Sequence, residues 1–505
     1  MSLFNSVIKF FLTNRLMEIE RFMENPAEVQ HLVFKDLIQK SKATEWGKQY
    51  GYGYDMNEIS FQNKVPISTY ENLYPYIERM LKGEQNILWH SKIDWFSKSS
   101  GTTNDRSKFI PVSYEAIEEC HNKCGKDMLC LMINNFNTDT LVFEGKSLAI
   151  GGTHHPNPFN PETRVGDVSA IIVQNLPLWA EYSRAPSREI AFLPNWEEKI
   201  RLMVETLVDE NITSLSGVPT WMIVVLHAIL EKTGKKNLLE VWPNLEIFLH
   251  GAVSFGPYKE IFRQLIPSDK FAYLELYNAS EGFFGIQDIK GADDMLLMLD
   301  HGIFYEFIPM EHIDSEHPKA LTIDQVELDK NYAIVISTNS GLWRYKIGDT
   351  IKFTSKKPYR IKITGRTKSF INAFGEEVVV ENADKAVQKA CEATNATLKD
   401  YTAGPIYMAS KNKGGHEWII EFEEKPDSKA QFIQVLDNTL REINSDYDAK
   451  RYKDMALGMP VVHFVKEGTF YNWLKSKNKL GGQHKVPRLA NNRTYIEEIL
   501  AIKTP

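Results

Sequence analysis

The sequence predicts an α/β protein: a large, multi-layered N-terminal domain of mixed sheets and helices, followed by a smaller α+β C-terminal domain. Three observations carry this expectation. Helix-periodic stretches at about 113–134, 197–210, 219–233 and 257–266 alternate with short apolar runs at about 141–150, 245–250, 271–277 and 333–338. Within that pattern LEIFLHGAVSFGPYKEIF reads as a strand ending at Gly251, a turn, and a helix opened by Pro257. After Arg366 the pattern restarts, with a helix at about 381–394, strand-like YMAS and EWIIEFE, a helix from Ser428 to about Asn444, strand-like PVVHFV and a last short helix. The expected domains are therefore 1–365 and 366–505.

The chain has 505 residues, 43% of them hydrophobic and 25% charged, which suits a folded globular protein rather than a disordered one. Acidic residues outnumber basic ones, 66 to 59, so no global positive field draws nucleic acid or anionic lipid. The first 50 residues read as helical, and Phe4, Val7, Ile8, Phe11 and Leu12 recur at the spacing of a helix that buries one face. Asn5, Lys9, Asn14 and Arg15 interrupt that stretch, so it is expected to be a docked helix and neither a signal peptide nor a membrane span. Four cysteines are too few for a disulfide framework, and the spacing of Cys120, Cys124 and Cys130 fits no standard zinc pattern. Buried thiols in a cytoplasmic protein are the expectation.

Five segments could carry chemistry. In DWFSKSSGTTNDRSKFIPVS, the hydroxyls of Ser99, Ser100, Thr102 and Thr103 surround Gly101, with Arg106 and Lys108 following. Hydroxyls and turn amides can donate to phosphate oxygens, and glycine permits close backbone approach. No glycine-lysine pair follows at the P-loop spacing, and on its own such a turn is more often a solvated loop. In FAYLELYNASEGFFGIQ a strand ends at Tyr277, and Asn278, Ala279, Ser280, Glu281 and Gly282 form the turn at its carboxyl end. Glu281 at the sheet rim could hold Mg²⁺ against phosphates, although exposed strand-end glutamates are common. In STNSGLWRYKIGDTIKF, Asp349 could accept from paired ribose hydroxyls, or belong to an ordinary Gly-Asp hairpin turn. KITGRTKSFINAFGEEV brings Arg366, Lys368, Gly375 and Glu376 to the domain boundary, and GGQHKVPRL puts Lys485 and Arg488 near the end of the chain. His154 and His155 read as loop residues after Gly151 and Gly152, with nothing to fix a role for them.

In order and spacing, SSGTT with its following lysine, Y-x-x-S-E-G, Y-x-x-G-D, T-G-R and Q-x-K-x-P-R resemble the motifs of the auxin-responsive promoter family of acyl acid-amido synthetases. That family belongs to the superfamily of adenylate-forming enzymes. The resemblance spans Phe96 to Leu489. It implies a phosphate loop at Ser99–Thr103 with Lys108, and a nucleotide motif in which Tyr277 lies near adenine, Ser280 near the α-phosphate and Glu281 near Mg²⁺, with Asn278 and Ala279 between them. It also implies that His250, Gly251 and Ala252 lie under the adenine, that Asp349 binds ribose with Arg366 as companion, and that Lys485 of a mobile C-terminal domain reaches the α-phosphate. A hinge at Arg366 to Lys368 would serve that motion. One departure is Asp105, which follows Asn104 where the family usually has glycine and would repel a triphosphate if it pointed inward.

The implied function is an ATP- and Mg²⁺-dependent ligase that adenylates a small carboxylic acid and passes the acyl group to an amine, expected to be an amino acid. The acid pocket is expected between the helices at about 113–134 and 219–226, with Val218 and Trp221 as apolar candidates. The alternatives are a thioester-forming acyl-CoA synthetase, disfavoured by Q-x-K-x-P-R, and a nucleotide-binding scaffold without turnover, suggested by Asp105.

Overall fold

A computed structural model describes residues 3–99, 108–135, 142–253, 255–313, 315, 317–367, 370–408, 413–452, 456–477 and 486–502. Among them, eleven strands form one sheet. Five are parallel, in the order Arg184–Ala185, Lys146–Ala149, Ile212–Gly217, Ile247–Gly251 and Ala272–Ala279. The sheet continues antiparallel through Gly282–Ile286, Met295–Leu297, Tyr359–Arg366, Tyr345–Lys356, Asn331–Thr338 and Ile303–Pro309. A four-stranded sheet carries Lys108–Val112, Trp95–Ser99, Asn160–Gly166 and His154–Asn157 in that order. The C-terminal domain has the three-stranded order Thr397–Ile406, Gly415–Glu424, Val461–Val465, with helices Val380–Ala393 and Lys429–Ile443 packed against each other.

The helices follow from local chemistry. Pro219–Thr233 begins with Pro at its first position and ends at Gly234, whose φ of 66° lets its N–H return to the Leu230 carbonyl. Met222, Ile223, Val225, Leu226 and Ile229 of this helix are buried, so it lies inside a layer rather than on the surface. The strand-helix unit at 247–265 also forms as expected. Three local expectations are corrected. The strand before the loop at YMAS is Thr397–Ile406, so Tyr407 and Met408 lie beyond it. Gly348 and Asp349 do not end a strand: Tyr345–Lys356 runs through them, because Gly348 takes a φ of 97° that absorbs the irregularity. His154 and His155 lie in the strand His154–Asn157 rather than in a loop.

Two apolar cores flank the large sheet. Phe22, Phe34, Leu37 and Ile38 of the N-terminal helices pack with Phe304, Phe307 and Phe353 of the antiparallel half. The other core joins Leu215, Met222 and Phe248 beside the parallel half to Phe374, Val378, Trp418 and Leu436 of the C-terminal domain. The N-terminal helix, Leu3–Glu24, is secured by a charged network. Arg15 reaches both oxygens of Asp127, at 2.5 and 2.7 Å, and both of Asp300, at 2.6 and 2.9 Å. His301 Nε2 lies 2.7 Å from Asp127 and Lys123 Nζ 2.9 Å from Asp300. The two carboxyl groups are held below their usual range despite burial, by Arg15 together with His301.

Replacing Arg15 by methionine would leave Asp127 and Asp300 buried without their main counter-charge. The expected loss is about 3–5 kcal/mol of the stability of this core, measured by thermal and urea unfolding at pH 7.

Candidate active site

The site grows from strand ends. Gly251 closes the parallel strand Ile247–Gly251 opposite Leu276, where an added Cβ would stand 2.4 Å from the Leu276 carbonyl oxygen, so only glycine permits this approach. Beside it, Ala272–Ala279 turns back through Ser280 and Glu281 into Gly282–Ile286, with Gly282 paired to Ala279. Glu281 therefore stands at the tip of a hairpin. From the four-stranded sheet, Ser97 Oγ lies 2.9 Å from Ser280 Oγ, which ties the strand leading into SSGTT to that tip. Ser99 and Lys108 are direct partners across the antiparallel pair.

Asp349 holds two groups at once. Tyr277 donates its hydroxyl to one carboxylate oxygen at 2.7 Å, and Arg366 donates Nε to the other at 2.7 Å. Asp349 and Arg366 are opposite residues of adjacent strands. Arg366 also pairs with Glu377 and lies with its guanidinium carbon 5.0 Å from the Phe370 ring centre. Each carboxylate oxygen has two lone pairs, so Asp349 keeps accepting capacity. The Tyr277 hydroxyl is pushed far above its ordinary range, by burial and by the Asp349 charge.

Burial raises the Glu281 carboxyl, opposed by the nearby Lys108 charge, and burial lowers the Lys108 ammonium, opposed by Glu281. Each group keeps free bonding capacity; the Tyr345 hydroxyl lies 3.4 Å from Glu281 Oε1. His250 is buried, stacks on Phe255 with centroids 4.0 Å apart, and is pushed down to about 3 by burial. Among the described residues its Nδ1 has no hydrogen-bond partner.

One cavity of about 1780 Å³ is lined by Lys108, Val218, Trp221, His250, Gly251, Ala252, the five residues Tyr277 to Glu281, Asp349 and Arg366. These sequence-selected residues thus share one space. Gly375 lines it too, whereas Glu376 is fully buried behind it, accepting from the Ala373 and Phe374 amides. Ser100, Gly101, Thr102, Thr103, Asp105, Arg106, Lys368 and Lys485 lie outside the described residues, as does the side chain of Ser99. The described chain resumes at Val486, and Leu489, Asn491 and Asn492 line the cavity. His154 is not on its wall; it packs edge-on against Trp95 and Phe192. All four cysteines are free and buried. Among the described residues, one group of three potential metal ligands comes together, Asp127, Asp300 and His301, and Arg15 already occupies those carboxylates.

Sequence reasoning missed several charged groups on the wall: Asp167, Lys199 and Lys450. Lys199 sits in NWEEKIR and Lys450 in DYDAKRYK, charge-rich runs that read as solvated faces. Only the helix phase of Lys199, falling on the same side as Met203, hinted at burial.

The chain matches the GH3 family N-terminal domain over residues 15–271, the GH3 family central domain over 296–366 and the GH3 family C-terminal domain over 381–494. An indole-3-acetic acid-amido synthetase GH3.3 of Arabidopsis thaliana is 22% identical, over 95% of this chain and 92% of that protein. A jasmonoyl-L-amino acid synthetase JAR4 of Nicotiana attenuata is 23% identical, over 95% and 94%. Among solved structures, the AtGH3.15 acyl acid amido synthetase in complex with 2,4-DB aligns with a TM-score of 0.62 at 18% identity, covering 97% of this chain and 96% of that one. A 2-hydroxyisobutyryl-CoA ligase aligns at 0.55 and 12% identity, over 94% and 92%. The fold is that of adenylate-forming enzymes.

Two of the buried histidines, His250 and His121, give a pH test. Burial holds His250 at about 3 and His121 at about 4, whereas an unfolded histidine titrates near ~6.5. The unfolded chain therefore binds these protons first, so the stability tied to neutral imidazoles is complete above about pH 6.5 and falls as the solution is acidified. By pH 5.5 each should cost about 1.4 kcal/mol. Thermal melts at pH 7.5 and 5.5 should show a smaller acid loss for His250→Phe than for the unaltered protein.

Proposed function

The chain belongs to the GH3 family, and from that premise we propose that it is an acyl acid amido synthetase, joining a carboxylic acid to an amino acid at the expense of ATP. The observation that supports this most directly is the single cavity shared by residues of five separate segments. At about 1780 Å³ it exceeds the roughly 300–1,000 Å³ of a usual small-molecule pocket, leaving room for a nucleotide with further substrates.

A carboxylate cannot acylate an amine directly, because its oxygen is too poor a leaving group. In the proposed first step a carboxylate oxygen attacks the α-phosphorus of ATP, the bond to the bridging oxygen breaks, and pyrophosphate leaves. In the second the amine attacks the acyl carbon, the C–O bond breaks, and AMP departs with the electron pair while the nitrogen gives up its proton. Asp349, fixed by Tyr277 and Arg366, offers its remaining lone pairs to ribose hydroxyls. His250, Gly251 and Ala252 form the floor for adenine; neutral His250 suits an uncharged base. Lys108 and the Ser99–Thr103 segment take the phosphates, Ser280 faces the α-phosphate, and Lys485 completes the charge neutralisation during activation.

Glu281 fits a magnesium ion: one carboxylate at the cavity, near Lys108 but not ion-paired with it, suits a cation that uses one or two carboxylates and fills its shell with phosphate oxygens and water. Bound there, the ion would withdraw charge from the phosphates. Val218 and Trp221 shape the acid-binding side. We place the domain boundary at 365/366, the pivot at Arg366 to Lys368, and the protein in the cytoplasm, where buried free thiols stay reduced. Among the described residues no helix is long and apolar enough to cross a membrane.

The test is ATP–pyrophosphate exchange across aryl, fatty and amino acids. At least one acid should support exchange, and Lys485→Met or Glu281→Gln should lower it by about 10²–10³-fold. Absence of exchange for every acid, with ATP still bound, would overturn the reading. Offering amino acids and CoA to the activated acid distinguishes amide from thioester formation, with amide expected.

A further inference from the structure

Away from its phosphate end the cavity continues across one face of the parallel strands, a part that the activation step leaves unused. Side chains alternate along a strand, so Ser214 and Ser216 face one way while Leu215 between them is buried in the core shared with the C-terminal domain. Register puts Ser147 on one side of Ser214 and Ile247 on the other, and Leu249 beside Ser216. Ser147, Ser214 and Ser216 all line the cavity, and no hydrogen bond joins their hydroxyls to another described residue. Arg184, next to Ser147 in the row, is taken up by Glu181 and the Pro186 carbonyl. This floor therefore offers hydroxyls without partners and, among the described residues of the row, no unpaired charge.

The flank of the same space is apolar. The helix Lys123–Asn135 packs on that face of the sheet, in one cluster with Leu249, Leu274 and Leu276. It descends from the reactive end. The Phe283 amide, beside the Ser280–Glu281 tip, donates to Cys120 Sγ at 3.2 Å in the turn leading into the helix, and Asn135 at the other end donates to the Asp288 carbonyl at 2.6 Å. Gly125, Met128 and Met132, three to four residues apart, turn one stripe of the helix to the cavity. Glycine is a poor helix former, and a Cβ at Gly125 would meet nothing within 4 Å, so no neighbouring group demands its smallness. It widens the chamber instead. Leu249 and Ile247 lie two and four residues below Gly251, which puts the serines at depths of about 7 and 13 Å from that strand end.

We propose that this chamber takes the body of the acid, and that the preferred acid is elongated and apolar with hydroxyl groups along one side. The hydroxyls meet Ser147, Ser214 and Ser216, and the bare flank lies against Gly125, Met128 and Met132. This rests on the reading of the chain as an acid-activating ligase. A serine hydroxyl both donates and accepts, so each can answer a hydroxyl of the acid. A purely hydrocarbon acid would displace water from the serines and return no hydrogen bond, and discrimination arises from that unmet cost. The unbranched methionine side chains conform to whichever apolar outline lies beside them.

The test is ATP–pyrophosphate exchange by the full-length protein with matched acids: cholate against its unhydroxylated parent cholanate, and ω-hydroxydecanoate against decanoate. In at least one pair the hydroxylated acid should exceed its parent at least tenfold in kcat/KM. The double variant Ser147→Ala, Ser214→Ala should lower that ratio at least fivefold, partly by improving use of the parent; because it is a ratio, general effects on activation cancel. Gly125→Leu is the second variant and should lower kcat/KM for both members of the pair at least tenfold with ATP binding retained. Equal or better use of the parent in both pairs would overturn the proposal, as would no exchange with any of these acids while another acid is activated. A preference unchanged in the double alanine variant would also overturn it, or, should that variant fail to fold, unreduced exchange by Gly125→Leu. Exchange does not involve the acceptor, so a thioester product would revise the broader reading and leave this ratio standing, whereas no exchange with any acid would overturn both.

Discussion

The Asp349 carboxylate is the knot on which the site depends. Tyr277 and Asp349 lie on strands separated in the sheet by Gly282–Ile286, Met295–Leu297 and Tyr359–Arg366, yet the hydroxyl and carboxylate are 2.7 Å apart. Laid flat, four strand spacings would put them about 19 Å apart. The sheet must therefore curl until its antiparallel half faces the ends of its parallel half. The short strand Met295–Leu297 allows the curl, and Gly348 turns the backbone just before Asp349. Arg366, held by the same carboxylate, begins the passage toward the C-terminal domain.

That closure explains why residues distant in sequence share one cavity. The parallel half supplies Gly251 and the Ser280–Glu281 tip, the four-stranded sheet supplies Lys108, and the antiparallel half supplies Asp349 and Arg366. Buried surroundings then shift these groups in opposite directions, Glu281 up and Lys108 down, so that each meets an incoming charge with little water competing. The apolar core shared by both domains keeps the C-terminal wall in register with the N-terminal one.

Much of this was legible in the sequence, for identifiable reasons. The helix Pro219–Thr233 and the unit from Ile247 to Leu265 carry their own start and stop signals, and a turn was legible after Tyr277, although the strands Ala272–Ala279 and Gly282–Ile286 leave only Ser280 and Glu281 at the tip. Asp349 was legible as a polar residue beside glycine, but not as part of a continuous strand, because Gly-Asp is also turn chemistry. The partner of Tyr277 depends on sheet curvature, which no local pattern encodes. Lys450 illustrates the remaining limit. Within a charged run it reads as solvated, and it becomes a wall residue only when the C-terminal domain docks on Trp221. His154 shows the reverse, a chemically suggestive residue that the fold spends on ring packing.

The Arg15 network has a consequence for biosynthesis. Its partner Asp300 follows 285 residues later in the chain. At about 5–20 residues per second, a ribosome needs roughly 15–60 s to deliver the second carboxylate after the arginine. During that interval the apolar face of the nascent N-terminal helices lacks its strand partners Phe304 and Phe307. A newly made chain thus has a long window in which that apolar face is without its native cover and open to self-association.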